Sequence, residues 1–184
     1  MSAPTLKTQR LLQRPWQPSD RDALWRMQSD PRTMEFLMPV ADRTASDAVA
    51  DRAEVHFARH GFGLWVVEVP GVAEFVGYCG LVHVPYAEHF TPAVEIGWRF
   101  DPAFWGQGYA TEAARAALDF GFEKLGLDEI VAITVPANLR SRAVMERLGM
   151  VRDEGGDFDL PSTPPGHPLR RQVLYRLRRS QALA

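Results

Sequence analysis

The run Val94-Glu95-Ile96-Gly97-Trp98-Arg99-Phe100 leads straight into Asp101-Pro102-Ala103-Phe104-Trp105-Gly106-Gln107-Gly108-Tyr109-Ala110-Thr111-Glu112, and this junction decides how the chain is read. A β-type run breaks at Pro102, crosses a turn holding Gly106 and Gly108, and enters a helical pattern. The first turn of such a helix leaves several backbone N–H groups without partners, and the helix dipole adds about half a positive charge there. The two glycines remove Cβ atoms that would keep an anion away from the backbone. The stretch is an anion-binding device, and it points to a phosphorylated ligand.

Upstream, β-rich runs at 62–69, 74–84 and 93–100, separated by turn residues, predict an antiparallel meander that ends at the glycine turn. Before them come a strand at 9–16, a helix at 19–28 ended by Asp30-Pro31, and a helix at 44–59 stopped by Gly61. That second helix carries Ala45, Val49, Ala53 and Phe57 on one face. Downstream, the helix at 108–125 has a polar stripe of Glu112, Arg115, Asp119 and Glu123. A strand at 127–135, a helix at 139–148 stopped by Gly149, and a strand at 173–177 follow. Residues 153–168 read as a long Gly/Pro-rich loop, opened by a strand at 150–153. The order is a mixed α/β (α+β) fold in which strand–helix units imply local parallel pairing.

At 184 residues, 46% hydrophobic and 24% charged, the chain fits one domain over residues 1–184. A net charge of −2 and a pI near 6.2 give no global attraction to nucleic acid or an anionic membrane, and neither partner is expected. Phosphate binding must then be local. The single Cys79 excludes an intrachain disulfide and a cysteine-only zinc site, so a reducing cytoplasm is the expected compartment. No stretch of about 18 apolar residues and no secretion signal is read. Monomer and homodimer both stay open.

The words Glu95-Ile96-Gly97-Trp98, Trp105-Gly106-Gln107-Gly108-Tyr109-Ala110-Thr111-Glu112-Ala113 and Asn138-Leu139-Arg140-Ser141, with Leu148-Gly149-Met150 after them, resemble the GNAT acyltransferase superfamily. The start, Gln9-Arg10-Leu11-Leu12-Gln13-Arg14-Pro15-Trp16 followed by Ser19-Asp20, resembles more narrowly its RimJ/RimL-like branch of ribosomal-protein N-terminal acetyltransferases. Many superfamily members begin the glycine turn with Gln or Arg, whereas the narrower branch commonly has Trp, as here at Trp105.

The resemblance implies a central mixed sheet of about seven strands, flanked by about four helices. It also implies a V-shaped splay between the strands holding Glu95 and Ile133. It implies acetyl-CoA as cosubstrate, with the pyrophosphate on backbone N–H groups of Gly106, Gln107, Gly108, Tyr109, Ala110 and Thr111. Ile96, Gly97 and Trp98 would follow the pantetheine arm and hold the thioester carbonyl, and Trp105 and Asn138 are further implied cofactor contacts.

Acetyl transfer to an amine needs a deprotonated amine, a stabilised carbonyl oxygen and a tolerated thiolate. Glu95 is the candidate base, directly or through water; the alternative is a strand glutamate ion-paired to a nearby arginine. Ser141 is the candidate donor to the leaving sulfur. Alternatively Asn138 and Ser141 only satisfy first-turn N–H groups of the helix they begin. His83, Tyr86 and Phe90, with His89, His167 and Asp157, fall on loops or strand ends that could line a substrate pocket. No close His/Cys/Asp spacing is read as a metal site, and no metal is expected. Cys79, between Gly77 and Gly80, reads as a buried small hydrophobe. The arginines at 170, 171, 176, 178 and 179 read as a solvated strand face.

The expected function is an N-acetyltransferase in which a primary amine, a protein N-terminal α-amine or a small-molecule amine, attacks directly in a ternary complex. The alternative is a non-catalytic acyl-CoA-binding module serving as sensor or interaction protein. A dinucleotide fingerprint fails because Thr111 stands at the third glycine position, and a Walker loop fails because no Gly-Lys-Ser/Thr follows the turn.

Overall fold

A computed structural model describes residues 4–182. The elements run β1 (Leu6–Lys7), β2 (Leu12–Arg14), α1 (Asp20–Ser29), α2 (Pro31–Met34), α3 (Arg43–His60), β3 (Leu64–Val69), β4 (Ala73–His83) and β5 (Val94–Phe100). After a 3-10 turn at Pro102–Phe104 come α4 (Tyr109–Glu123), β6 (Glu129–Thr134), α5 (Leu139–Arg147), β7 (Val151–Arg152), β8 (Phe158–Asp159), β9 (Arg171–Arg178) and α6 (Arg179–Ala182). The sheet order is β1-β2-β3-β4-β5-β6-β9-β7, with β8 paired to β9. Every pairing is antiparallel except β5 with β6.

The mixed fold and the meander are as expected, but the described residues hold nine strands, not about seven, and six α-helices, not about four. The additions are two-residue strands and four-residue helices, too short to carry a hydrophobic period. Asp30-Pro31 does end α1, and it also starts α2: Pro31 occupies the first turn and the Asp30 side chain accepts the Arg32 N–H at 2.9 Å.

The sheet is covered on both faces because its strands alternate. Trp65, Val67, Cys79, Leu81, Val94, Ile96 and Phe100 face α4, which buries Tyr109, Ala113, Ala114, Ala117, Leu118 and Phe122 against them. Val66 and Tyr78 face the other way, onto Leu24 and Met27 of α1 and Ala50 and Ala53 of α3. α1 is tied to the sheet by Arg14, whose guanidinium meets both Asp20 oxygens at 2.9 and 2.8 Å and Glu68 at 3.0 Å. Asp20 is 2% exposed, so this ion pair is almost wholly withdrawn from water.

Candidate active site

β5 and β6 run parallel, but only Glu95 and Val131 stand in register; beyond that point the two strands part. The gap continues as a cleft of about 1010 Å³ lined by β5 from Glu95 to Phe100, the start of α4, Ile133 and Thr134 of β6, and α5. Its other end is walled by Arg32, Thr33, Phe36 and Leu37, with Leu64, Tyr78 and Val82 of the meander. That volume is at the upper end of the range for small-molecule sites. Gly97 lies at the parting, and a Cβ there would meet nothing within 4 Å, so the strand wall is bare at this point.

The glycine turn forms the cleft's anion end. Gly106 and Gly108 adopt φ of +77° and +79°, a left-handed backbone that other residues enter at a cost of about 1–2 kcal/mol. Gly108 caps α4 with no side-chain hydrogen bond. Among the described residues no protein acceptor meets the N–H groups of Gly106 through Thr111; the first bonded amide is Glu112, to the Gly108 carbonyl. All six residues except Gln107 line the cleft.

Arg10, given no role from sequence, crosses this turn. Its guanidinium donates to the Gln107 carbonyl at 2.9 Å, pairs with Glu112 at 2.6 Å, and lies 5.0 Å from the Tyr109 ring centroid. Burial would raise the Glu112 carboxyl, but hydrogen bonds from Thr8 and Arg10 outweigh it and hold the group below its ordinary value. The lining carries six arginines (10, 32, 99, 115, 140 and 147) against two carboxylates, Glu95 and Glu112, in a chain of net charge −2. The local charge is therefore opposite to the global one and suits an anion. Sequence inspection misses it because these arginines come from β-strands and helices far apart in the chain.

Trp105 donates its indole N–H to the Phe100 carbonyl at 2.8 Å, which pins the ring. The Arg140 guanidinium lies 4.7 Å from that ring centroid and pairs with Glu35 at 2.5 Å, linking α5 to the segment after α2. Ile96 and Trp98 also line the cleft, although Ile96 is only 2% exposed.

Glu95 has no ion-pair partner among the described residues, so the arginine-paired alternative does not describe it. It is half-buried in the cleft wall, and loss of solvent pushes its carboxyl up to about 7. At that value a carboxylate both takes and releases a proton near neutrality.

Asn138 caps α5, its Oδ1 accepting the Ser141 N–H at 3.2 Å. Its amide nitrogen donates to Thr134 Oγ1 and to Ser141 Oγ, each at 3.1 Å. Ser141 therefore has its oxygen held by Asn138, and its hydroxyl proton has no acceptor among the described residues. Both residues line the cleft. The capping role and an outward-facing donor coexist here.

His83, Tyr86 and Phe90 are not in the cleft lining. Tyr86 and Phe90 pack on Phe158, with centroids 6.1 and 5.1 Å apart, above Val131 and Leu174. Burial, and then the charges of Glu95 and Glu88, push the Tyr86 phenol up. His83 instead meets His56 and His60 outside the cleft. Close spacing in the sequence marks no metal site, and the grouping found here is of another kind: it joins a helix to a strand end 23 residues away, a proximity that only folding creates. Cys79 is fully buried and burial pushes its thiol up, which fits the small-hydrophobe reading. Arg176 and Arg178 pair with Glu129, and Arg176 also with Asp153.

A splayed parallel pair opening on a helix N-terminus with free amides defines an acyltransferase-type site, and the chain belongs to the GNAT acetyltransferase family: residues 10–151 match its Acetyltransferase (GNAT) domain. It is an N-acetyltransferase. It is 35% identical to the FsC-acetyl coenzyme A-N(2)-transacetylase of Aspergillus fumigatus, over 98% of this chain and 78% of that protein. A crystal structure of an acetyltransferase from Agrobacterium tumefaciens has a TM-score of 0.78 and 31% identity, covering 97% of this chain and 96% of its own. A putative ribosomal N-acetyltransferase of Bacillus subtilis, YdaF, is 31% identical over 41% of each chain. Among the described residues no helix is long and apolar enough to cross a membrane.

Proposed function

We propose that the cleft transfers an acetyl group from acetyl-CoA to an α-type primary amine by direct attack within a ternary complex. The observation that carries this reading is the position of Glu95, a carboxylate with no ion-pair partner among the described residues, where β5 and β6 part and in one cleft with the six-amide turn. The residues present fit the cosubstrate: the amides of Gly106 to Thr111 and the Arg10 side chain suit a pyrophosphate, and the bare wall at Gly97 leaves room for a narrow arm. Bound acetyl-CoA supplies an activated carbonyl attached to a sulfur leaving group.

Glu95 accepts the proton of the acceptor ammonium, leaving a neutral nitrogen to form the new N–C bond; as the C–S bond breaks the second nitrogen proton passes to the departing thiolate, and Glu95 returns its own proton to solvent. The β5 edge around Ile96 to Trp98, freed by the splay, offers backbone groups to the carbonyl. Ser141, with its oxygen held by Asn138, donates toward the departing sulfur.

Acceptor class follows from proton affinity. A peptide α-amine, with an ordinary pKa near 8, gives its proton to a carboxylate near neutrality more readily than a lysine-type amine near 10.4. This favours an α-amine, on a protein N-terminus or a small molecule. The likeness to the RimJ/RimL-like branch and to YdaF supports the former, and the Aspergillus relative, named for transfer to an N(2) nitrogen, leaves the latter equally supported. The buried single Cys79 accords with cytoplasmic action.

The test is thiol release from acetyl-CoA with matched α-amine and alkylamine acceptors between pH 5.5 and 9. Higher kcat/KM for α-amines, rising through pH 7, supports the proposal. Preference for alkylamines, or no thiol release with any amine, overturns it.

A further inference from the structure

Outside the cleft, three imidazoles converge. His56 and His60 sit one turn apart at the C-terminal end of α3, and His83 is the last residue of β4. One candidate ligand nitrogen from each lies within 4.8 Å of the other two. The ring centroids are 4.5 Å apart for His56–His60 and His60–His83, and 5.5 Å for His56–His83. The Phe62 ring packs beside all three, at 5.1, 6.0 and 5.2 Å, closing one side of the group. His60 and His83 are exposed on the other side, where a ligand can enter.

His56 is already oriented as a metal ligand is. Its Nδ1 lies 2.7 Å from the Phe62 carbonyl oxygen, which can only accept, so Nδ1 carries the proton and Nε2 keeps its lone pair. A backbone carbonyl holding the far nitrogen is the usual device that fixes a metal-binding imidazole. The Nε2 atom faces His83 Nδ1 at 3.4 Å, and its present donor is the His83 backbone N–H at 3.1 Å.

We propose that His56, His60 and His83 form a binding site for a divalent transition metal of the zinc class, with three imidazole nitrogens and water completing the coordination. Three nitrogens at about 2.0–2.1 Å from a tetrahedral ion stand about 3.3 Å apart, so small rotations of the two exposed rings close the site. The ion displaces the His83 backbone N–H from His56 Nε2, now 3.1 Å away, so the end of β4 gives way as the site closes. An all-nitrogen set with no carboxylate discriminates against calcium and magnesium. Burial holds His56 and His83 below their ordinary pKa, and the imidazoles repel one another's charge, with Arg59 acting in the same direction on His56. Loss of solvent thus favours the neutral, lone-pair-bearing form of His56 and His83.

The role is structural. None of the three residues lines the cleft, and the ion joins the end of α3 to the root of the 84–93 segment, which carries Tyr86 and Phe90 onto Phe158. Binding to the folded chain alone raises its thermal stability by mass action.

The test is calorimetry of the full chain, freed of any affinity tag and stripped with chelator, titrated with zinc chloride and separately with magnesium chloride. One equivalent of zinc bound at micromolar or tighter dissociation constant, no magnesium binding, and a melting temperature raised by several degrees support the site. His60→Ala, at the exposed end of α3, and His83→Gln should each weaken zinc binding at least 100-fold. Their melting temperatures without metal, compared with that of the parent chain, report whether they fold. Absence of zinc binding by the parent chain overturns the proposal, as does undiminished binding by the two folded variants.

Discussion

Glu95 stands opposite Val131 at the sole register pair of β5 with β6 among the described residues, so its carboxylate, without an ion-pair partner among those residues, sits at the vertex of the splay. At the vertex the carboxylate is half-withdrawn from solvent beside buried Ile96 and Val131. The same geometry that opens the cleft therefore raises the carboxyl.

Glu95→Gln keeps size and hydrogen bonding but cannot take a proton. Turnover should fall by about 10²- to 10⁴-fold with little change in acetyl-CoA affinity. In the parent enzyme kcat/KM should rise with pH through about 7, since only the ionised form is a base. Thiol-release kinetics across pH, with calorimetry for cosubstrate binding, check both.

The same substitution makes an opposite prediction for stability. A carboxyl raised in the folded state holds its proton while the unfolded chain, near 4.3, has lost it, so Glu95 destabilises the fold as pH climbs from about 4.3 to 7 and fully above that. Glu95→Gln should melt higher than the parent at pH 8, by about 2–4 °C for each kcal/mol regained, and equally at pH 4. Thermal melts at the two pH values measure the difference.

Ser141→Ala should cost about 10-fold in kcat, less than Glu95→Gln, because a thiolate with pKa near 8.5 leaves without much help. Stability should barely move: the Asn138 cap bonds to the backbone N–H of residue 141 and to Thr134, and both bonds survive. A kcat loss with an unchanged melt separates the donor role from the capping role.

Gly108→Ala places a Cβ at φ +79°, 3.4 Å from the Arg10 guanidinium and beside the free amides. Loss of about 1–2 kcal/mol in stability and at least 10-fold weaker acetyl-CoA binding are expected. Arg10→Ala should weaken binding too, since it leaves Glu112 uncompensated at a helix N-terminus meant for phosphate, and its effect should shrink as salt is raised. Calorimetry at two ionic strengths distinguishes the steric effect from the electrostatic one.

Asp20→Ala strips the buried Arg14 guanidinium of a bidentate partner, leaving Glu68 as its remaining carboxylate. Stability should drop by about 3–5 kcal/mol, lowering the melting temperature by 6 °C or more, while KM for either substrate holds. A urea melt paired with steady-state kinetics tests this.

Amino-acid order alone was enough for whatever depends on near neighbours. Alternating strands, the caps at Gly61 and Gly149 and the amphipathic α4 are local patterns, and the free amides at 106–111 follow from a helix beginning after two glycines. The motifs carried the resemblance that placed the splay beside Glu95. β1, β8, α2 and α6, of two or four residues each, are too short to carry a period and escaped. Tertiary structure alone decided what long-range approach creates. Arg10 reaches Gln107 across 97 positions, and six arginines from scattered elements make one cationic cleft. His83 turns away from the cleft toward His56 and His60, while desolvation by its surroundings, which no single position encodes, brings Glu95 to a neutral pKa.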